Sequence, residues 1–315
     1  MALENVSRRV MRWIRNAAPV QTLRQSGMIR SIHFWLLPML IVFLAVYGTI
    51  GWNFIISLTD FQGITLPAYE VSNFDLEMYT QLIEDSTFWR ALRNTVILMV
   101  LFPLACLSVG IFLAIIVDQK IRFENTFRII YLLPFSLSFV VTAKFWLWMY
   151  NPEIGVINSI LGYFGLDFLA LNWLAPEYRL WAVMIALVWQ FSGYAMIIYL
   201  AGLRRIPTTQ YEAAKSDGAN SLTVYLRIII PQLRASTVSA AIVLIVFTLK
   251  AFDFLYAMFR SFPGPTADIL ATMMYREAFE SANWAYGATI AMVLFLLALV
   301  IVVPYLYTEY RRGAL

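Results

Sequence analysis

Three ionisable side chains stand inside long apolar stretches of the sequence: Lys144, Lys250 and Asp253. Charge at bilayer depth is costly, so such residues either pair with an opposite charge or face a wet cavity. Lys250 and Asp253 are three residues apart and can meet on one helical face as an ion pair that fixes helix packing. Alternatively, Lys250 lines a polar path together with Phe247 and Thr248. The sequence leaves both interpretations open.

A second polar interval combines aromatic and hydrogen-bonding side chains at Gln190, Ser192 and Tyr194, with Gly193 between them. Aromatic rings stack on the C–H faces of a sugar, and a few polar groups bind its hydroxyls. Ordinary hydrogen bonding between helices is an equal alternative, because Gly193 lets another backbone approach closely. The candidate substrate path is therefore Gln190, Tyr194, Phe247, Thr248, Lys250 and Asp253.

The sequence lacks the residues that several other kinds of site need. One histidine, His33, and one cysteine, Cys106, rule out a His/Cys metal cluster and an intrachain disulfide. No G-x-x-x-x-G-K-[ST] motif occurs, so any ATP and Mg²⁺ must bind to other subunits. The chain has no nucleophile elbow and no cytoplasmic carboxylate pair, which disfavours a membrane enzyme. We expect no catalytic residue, metal or cofactor on this chain.

The elements that must position these residues are membrane helices. The 315 residues are 61% hydrophobic and 13% charged, with a mean hydropathy of +0.72, which is typical of integral membrane proteins. Apolar runs of this length must be helices, because lipid offers no partners for free backbone groups. We predict an all-α polytopic protein with six spans: Phe34 to Ile56, Thr95 to Val117, Ile129 to Tyr150, Leu180 to Leu203, Thr237 to Phe259 and Trp284 to Tyr307.

The distribution of Lys and Arg predicts the orientation of the spans. Sixteen of these residues lie before the first span, in the second-to-third and fourth-to-fifth loops and in the tail, against five on the other side. The positive-inside rule therefore places both termini in the cytoplasm. The net charge of +4 follows from this topology, so we expect no nucleic-acid partner. Residues 1–32 are either a basic amphipathic helix on membrane lipid or an irregular basic tail.

Two segments outside the membrane are long enough to form a docking surface. Residues 57–94 are acidic and contain a predicted short helix from Leu76 to Arg90, whereas turns separate short helices in residues 151–179. The predicted organisation is a cytoplasmic segment 1–32, a first span with its external loop at 33–94, a core of five spans at 95–308 and a tail at 309–315.

A polar cytoplasmic loop at residues 204–235 interrupts this core. Pro207 suits a first helical turn, and Thr209 with Glu212 has the spacing of a capping box. The short helix that follows is expected to end at Asp217-Gly218, because glycine tolerates a left-handed C-terminal cap. We predict that Ser221 caps a second helix, which Pro231 interrupts as the chain returns to the membrane.

This loop resembles the EAA loop of binding-protein-dependent ABC importer permeases, which reads EAA-x3-G-x9-I-x-L-P. The matching residues are Glu212, Ala213, Ala214, Gly218, Ile228 and Pro231, with Ile230 in place of Leu. The resemblance implies the MetI-like permease fold and a short helix that contacts an ATPase subunit. Its coupling residues would be Glu212, Ala213, Ala214, Asp217 and Gly218, with Glu212 available to an arginine of the ATPase.

Shorter motifs resemble the carbohydrate branch of that family. They are Phe88 to Thr95, Leu132 to Pro134, Asn151 to Gly155, Ala201 to Leu203 and Lys250 to Asp253, and two others, Asp118 to Arg122 and Val303 to Tyr307, resemble glucose or mannose type permeases. Tyr194 and Phe247 match sugar-contacting positions of the maltose-type permease, but Thr248 and Ala251 stand where it has Asn. Arg260 to Pro265 replaces a glycine-rich segment.

The sequence is interpreted as one permease subunit of an ATP-driven importer for a glucose or mannose type monosaccharide or a small oligosaccharide. The resemblance implies a second, different permease subunit, two ATPase subunits and an extracytoplasmic sugar-binding protein. The alternative is an ion-coupled secondary transporter that uses Lys250 and Asp253.

Overall fold

The computed structural model describes residues 28–63, 74–119 and 122–311 of the chain. Regular structure within these ranges is helical, and no strand occurs in them. The chain divides between Ile55 and Ile56 into two compact units, which are described separately. Most of the predicted basic segment 1–32 lies outside the described residues.

The first unit contains helix α1, Met28–Ile56. Its apolar part, Trp35–Ile56, has 22 residues, which is enough to cross a hydrocarbon core of about 30 Å. The rings of Phe43 and Tyr47, one turn apart, lie 4.6 Å from each other. This helix corresponds to the first predicted span.

Among the described residues, the second unit contains the remaining helices, several of them short. They are α2 Glu77–Glu84, α3 Ser86–Asp118, α4 Glu124–Leu132, α5 Phe139–Met149, α6 Val156–Tyr163, α7 Arg179–Leu203, α8 Thr208–Ser216, α9 Ser221–Val224, α10 Ile230–Gln232, α11 Arg234–Leu249, α12 Phe252–Phe259, α13 Leu270–Tyr275 and α14 Trp284–Arg311. The chain also forms 3₁₀ turns at Leu133–Ser136 and Asp167–Leu169, and π-helical turns at Tyr225–Ile229 and Arg276–Glu280.

Helix α7 lies at the centre of this unit. In the most apolar stretch of α7, 67% of the residues are buried, against 33% in that of α3 and 11% in that of α14. It packs closely on α3, because a Cβ at Gly110 would stand only 2.5 Å from the Cβ of Ala195. Small residues permit this approach of two backbones in lipid. The edge-to-face rings of Phe102 and Phe191, 5.7 Å apart, extend the same contact.

The third predicted span is not a continuous helix. Its first part, α4 with the 3₁₀ turn Leu133–Ser136, is bent by 100° relative to α5. Pro134 stands in that turn, where it lacks an N–H and cannot continue the helical hydrogen bonds. Ser138 then begins α5, and its hydroxyl accepts a hydrogen bond from the Val141 amide at 3.3 Å.

The fifth predicted span is interrupted as well. The chain bends by 68° between Ser221–Gln232 and Arg234–Leu249, before the predicted start of the span at Thr237. The interruption within the predicted span follows Leu249, where α11 ends. There the amides of Lys250 and Ala251 donate to the carbonyls three residues earlier, both at 3.1 Å, so the last turn tightens to a 3₁₀ pattern. The described chain thus has four long apolar helices, or six spans if each bent pair counts as one.

The predicted helix from Leu76 to Arg90 is wrong in its boundaries. Asp85 separates α2 from α3, and its carboxylate accepts the Thr87 amide at 2.7 Å. An aspartate in this position satisfies an orphan amide at the helix start. Helix α3, which contains the second span, therefore begins at Ser86, nine residues before the predicted start at Thr95. Its first turns precede the apolar run.

Candidate functional site

The loop predicted to contact an ATPase contains the exposed helix α8. Glu212, Ala213 and Lys215 are exposed on it, whereas Ala214 is buried. The predicted Thr209–Glu212 capping box is wrong: Thr209 already lies within the helix, and Pro207 occupies the cap position without a side-chain hydrogen bond. Exposed Glu212 is consequently unused by the helix start and available for a contact outside the chain.

The predicted end of α8 at Gly218 is confirmed. Gly218 has φ +80°, its amide donates to the Lys215 carbonyl, and the Ala219 amide donates to the Ala214 carbonyl, both at 3.0 Å. These two bonds form a Schellman motif, which satisfies the last carbonyls of a helix. A Cβ at Gly218 would meet no atom within 4 Å, so the backbone conformation alone requires glycine there.

The return from the loop begins at Asn220 rather than at the predicted Ser221. The Asn220 side chain accepts the Thr223 amide at 2.8 Å and caps α9. The π-helical turn Tyr225–Ile229 follows, just before Pro231. Because Pro231 has no N–H and its ring crowds the carbonyl four residues earlier, a wider turn accommodates it.

The loop is fixed to the C-terminal ends of α3 and α7 by an apolar cluster. Its members are Ala114, Val117, Met196, Tyr199, Leu200, Leu203, Ala214, Val224, Ile229 and Leu233. Ala214 of the EAA sequence therefore has a packing role, and it connects α8 to two membrane helices. The Tyr199 hydroxyl also donates to Thr237 of α11 at 3.1 Å. Helix α8 is thus connected, through this cluster and through Tyr199, to α3, α7 and α11.

A groove of about 580 Å³ lies beside α8. Its lining residues include Asp118, Arg204, Tyr211, Lys215 and Tyr225. The rings of Tyr211 and Tyr225 are 6.2 Å apart in an edge-to-face arrangement. Burial, and then the negative charge of Asp118, raise the pKa of Tyr211 to about 12, so its hydroxyl stays protonated at neutral pH.

Glu124, the first residue of α4, is not among the site residues predicted from the sequence. Its carboxylate forms ion pairs with Arg128 of the same helix and with Arg204, which follows α7. These contacts join the second-to-third loop to the start of the loop 204–235, which contains α8. The i, i+4 spacing of Glu124 and Arg128 is visible in the sequence, but the pairing with Arg204 is a tertiary contact.

The candidate substrate path divides into two groups in the structure. Tyr194 and Phe247 belong to an aromatic cluster with Phe135, Phe139 and Phe191, which we call the central aromatic cluster. The rings of Phe191 and Phe247 are 4.7 Å apart, and those of Phe135 and Tyr194 are stacked at 5.4 Å. Phe135, Phe139 and Phe191 are not among the residues selected from the sequence, and Phe135 and Phe139 lie on either side of the break in the third span.

Gln190 and Thr248 are packing residues. Gln190 is buried and donates from Nε2 to the Leu137 carbonyl at 2.8 Å, at the break in the third span. Gly193, one turn further along α7, lets the end of α4 approach closely, because a Cβ there would lie 1.9 Å from the Tyr131 carbonyl oxygen. Buried Thr248 donates to the Leu244 carbonyl of its own helix at 3.1 Å. The interhelical alternative therefore describes the contact of Gln190, whereas the Thr248 bond is intrahelical.

Lys250 and Asp253 lie on either side of the break in the fifth span, and both are exposed. Within the described ranges the ion pairs involve Arg128, Arg204 and Arg276, and none joins Lys250 to Asp253. The ion-pair interpretation is therefore not supported by the geometry.

At the opposite end of α7 from the coupling loop, polar side chains hold the segment Arg260 to Asp268. Arg276 pairs with Asp268 at 2.7 Å and donates to the Ser261 carbonyl at 2.9 Å. Asn94 donates to the carbonyls of Pro265 and Asp268 at 3.0 and 2.8 Å. This segment, which departs from the glycine-rich pattern, is thus tightly hydrogen-bonded to α3 and to the chain before α14.

Comparison with known proteins identifies the architecture. Residues 106–312 match the family described as binding-protein-dependent transport system inner membrane component. The chain is 50% identical to the xylose/arabinose import permease protein XacH of Haloferax volcanii, over 92% of this chain and 91% of that protein. It is 32% identical to the osmoprotective compounds uptake permease protein GgtC of Synechocystis sp., over 75% and 84% of the two chains.

Among solved structures, a bacterial alginate ABC transporter in complex with an alginate pentasaccharide-bound periplasmic protein contains a chain with the same fold. It aligns with a TM-score of 0.76 at 22% identity, over 92% of this chain and 96% of that chain. Together with the family match, this similarity confirms the predicted MetI-like fold. The chain therefore belongs to the family of inner membrane components of binding-protein-dependent transport systems: it is a multi-pass, non-catalytic permease subunit of an ABC importer, whose ATPase resides on separate subunits.

Proposed function

We propose that the chain passes a sugar, of the glucose or mannose type or a small oligosaccharide, from an extracytoplasmic binding protein to the cytoplasm. The observation that carries this proposal is the central aromatic cluster at the break of the third span, where Tyr194 and Phe247 present rings that are partly exposed. Such rings stack on the C–H faces of a sugar. One relative with 50% identity is named for xylose and arabinose import, which also favours a monosaccharide.

A transport assay with the reconstituted importer tests the cargo. We expect labelled glucose or mannose to enter proteoliposomes in an ATP-dependent and vanadate-sensitive manner. Unlabelled xylose and arabinose are the competing sugars, and an osmoprotective compound is the control, because a more distant relative carries that name. Uptake of the control but of none of the sugars would contradict the proposal.

We infer that α8 is the coupling element, with Glu212, Ala213, Asp217 and Gly218 facing the ATPase and Ala214 facing the membrane helices. Three features support this role: the exposure of the first four residues, the defined Schellman end of the helix and its packing on α3 and α7. A short rigid helix of this kind transmits a displacement instead of absorbing it. ATP and Mg²⁺ would bind to the ATPase subunits.

The proposed assembly contains a second, different permease chain, two ATPase subunits and a sugar-binding protein on the outer side. Both termini would be cytoplasmic, as the distribution of Lys and Arg predicts. The ion-coupled alternative loses its basis with the family assignment and with the separation of Lys250 from Asp253. Lys250 and Asp253 are proposed instead as polar residues that border the path where the fifth span breaks.

A further inference from the structure

The segment between the third and fourth spans exposes large apolar side chains. Tyr163 is 86% exposed, Phe168 77%, Phe164 69% and Ile160 51%. Ile160, Tyr163 and Phe164 have the i, i+3, i+4 spacing of one helical face of α6, and Phe168 follows in the next turn. We call these four residues the outer aromatic patch. Exposed apolar surface of this extent marks an interaction site.

The backbone around the outer aromatic patch is fixed. Helix α6 ends in a Schellman motif, in which the Gly165 amide donates to Gly162 at 3.0 Å and the Leu166 amide to Leu161 at 2.8 Å. The amide of the Asn158 side chain donates to the Leu171 carbonyl at 3.0 Å, and the Trp173 indole donates to the oxygen of Asn158 at 3.1 Å. The aromatic rings are consequently held outward and do not fold back onto the helix.

The inner face of α6 is already occupied. Ile157 packs on the main core cluster, and so does Trp173, whose ring lies 5.7 Å from that of Tyr150. Helix α6 therefore has one face on the protein core, and its opposite face, with Ile160 and Tyr163, has no cover among the described residues. An exposed apolar face of this kind requires either a protein or a lipid partner.

Charge distinguishes the two kinds of partner. Between Glu153 and Glu177 the only charged residue is Asp167. The rim of a protein interface is polar and solvated, and the other external segment, residues 57–94, has that character, with six acidic residues. The outer aromatic patch has no such rim. It also continues from α5, whose last turns expose Phe145 and Trp148.

We propose that the outer aromatic patch lies in the lipid interface of the leaflet opposite α8, with its rings at the boundary between headgroups and acyl chains. Tyr, Trp and Phe are favoured at this depth, and an uncharged amphipathic helix is held there by buried apolar area alone. Because the patch is uncharged, its insertion is independent of ionic strength.

Spin-label accessibility in the assembled importer tests this placement. Single cysteines are introduced as Tyr163→Cys and Phe168→Cys, labelled, and studied in lipid nanodiscs by electron paramagnetic resonance. The native Cys106 is fully buried, and the unsubstituted complex serves as the blank. We expect collisions with oxygen, which dissolves in lipid, to exceed those with a water-soluble nickel chelate, with no change between low and high salt.

Glu84→Cys provides the matched control, because Glu84 is an exposed charged residue at the end of external helix α2; its label should favour the nickel chelate. Retained ATPase activity confirms that each labelled complex is assembled. A preference for the nickel chelate at both patch positions would overturn the proposal in favour of a solvated surface. Low accessibility to both reagents would overturn it in favour of a protein partner.

Discussion

At the scale of single residues, Gly218 is the position where one residue decides the geometry at the end of α8, the proposed coupling helix. Its φ of +80° is unfavourable by about 1–2 kcal/mol for a residue with a Cβ, although the surrounding space is empty. We expect Gly218→Val to leave membrane insertion intact and to reduce sugar uptake per ATP hydrolysed by about tenfold. Gly218→Asn is the matched control, because asparagine tolerates the left-handed conformation. Equal coupling in both variants would contradict the assigned role.

A second residue-scale prediction concerns Glu277, in the turn before α14. Burial raises the pKa of its carboxyl; Arg276 opposes this shift, and the charges of Asp85 and Asp268 add to it. A carboxyl with a higher pKa in the folded state binds its proton more tightly when folded. Its contribution to stability is therefore greatest below the unfolded pKa of about 4.3 and is lost as the pH rises through the folded value.

A glutamine side chain does not titrate. We thus expect the Glu277→Gln variant to lose less thermal stability than the unsubstituted protein when the pH rises from about 4 toward neutrality. The measurement is the unfolding temperature of the detergent-solubilised complex across this pH range. Glu280→Gln, an exposed position in the same turn, is the control and should leave the pH profile unchanged. Identical profiles for the Glu277 variant and the unsubstituted protein would contradict the expectation.

At the scale of elements, the break in the third span is the feature that places the aromatic rings. Gly193 and Gln190 hold this break against α7, one by permitting close approach and the other by hydrogen bonding to Leu137. Gly193→Ala forces a methyl group against the Tyr131 carbonyl, so the backbone must shift, at a cost of about 1–3 kcal/mol. We expect a lower unfolding temperature and impaired uptake.

Gly48→Ala in α1 is the control for this substitution. A Cβ at Gly48 would meet no atom of the chain within 4 Å, and alanine is the better helix former. Equal stability of the two alanine variants would show that close packing at the break does not fix the bend.

At the scale of the whole molecule, the proposed orientation predicts the accessibility of introduced cysteines. Glu84→Cys on α2 should react with a membrane-impermeant maleimide added to intact cells. Lys215→Cys on α8 should react only after the membrane is dissolved, because α8 lies at the opposite end of the spans. Cys106, buried in α3, should remain unreactive. Labelling of Lys215→Cys in intact cells would reverse the orientation.

Much of the architecture is predictable because its causes are local. The apolar runs predict membrane helices, since lipid leaves the backbone no other partners, and the EAA spacing identifies the coupling loop through Gly218. The end of α8 is predictable for the same reason, because a glycine after a short helix specifies its own conformation. The start of α9 is less predictable. The sequence predicts Ser221 as its capping residue, whereas the adjacent Asn220 caps it in the structure. Both residue types are good caps, so the local sequence does not choose between them.

The tertiary structure decided where the spans break and which side chains meet. A proline in an apolar run is compatible with a kink or a full break. The 100° bend follows Ser136, and Gln190 of α7 donates to the Leu137 carbonyl at that point. Composition does not show which of the candidate residues share a role. In the structure the rings of Tyr194 and Phe247 pack together with those of Phe135, Phe139 and Phe191. Gln190 and Thr248 instead donate hydrogen bonds to backbone carbonyls. Local pattern determines which segments become helices, whereas contacts between residues far apart in the chain determine their bends and the surfaces they expose.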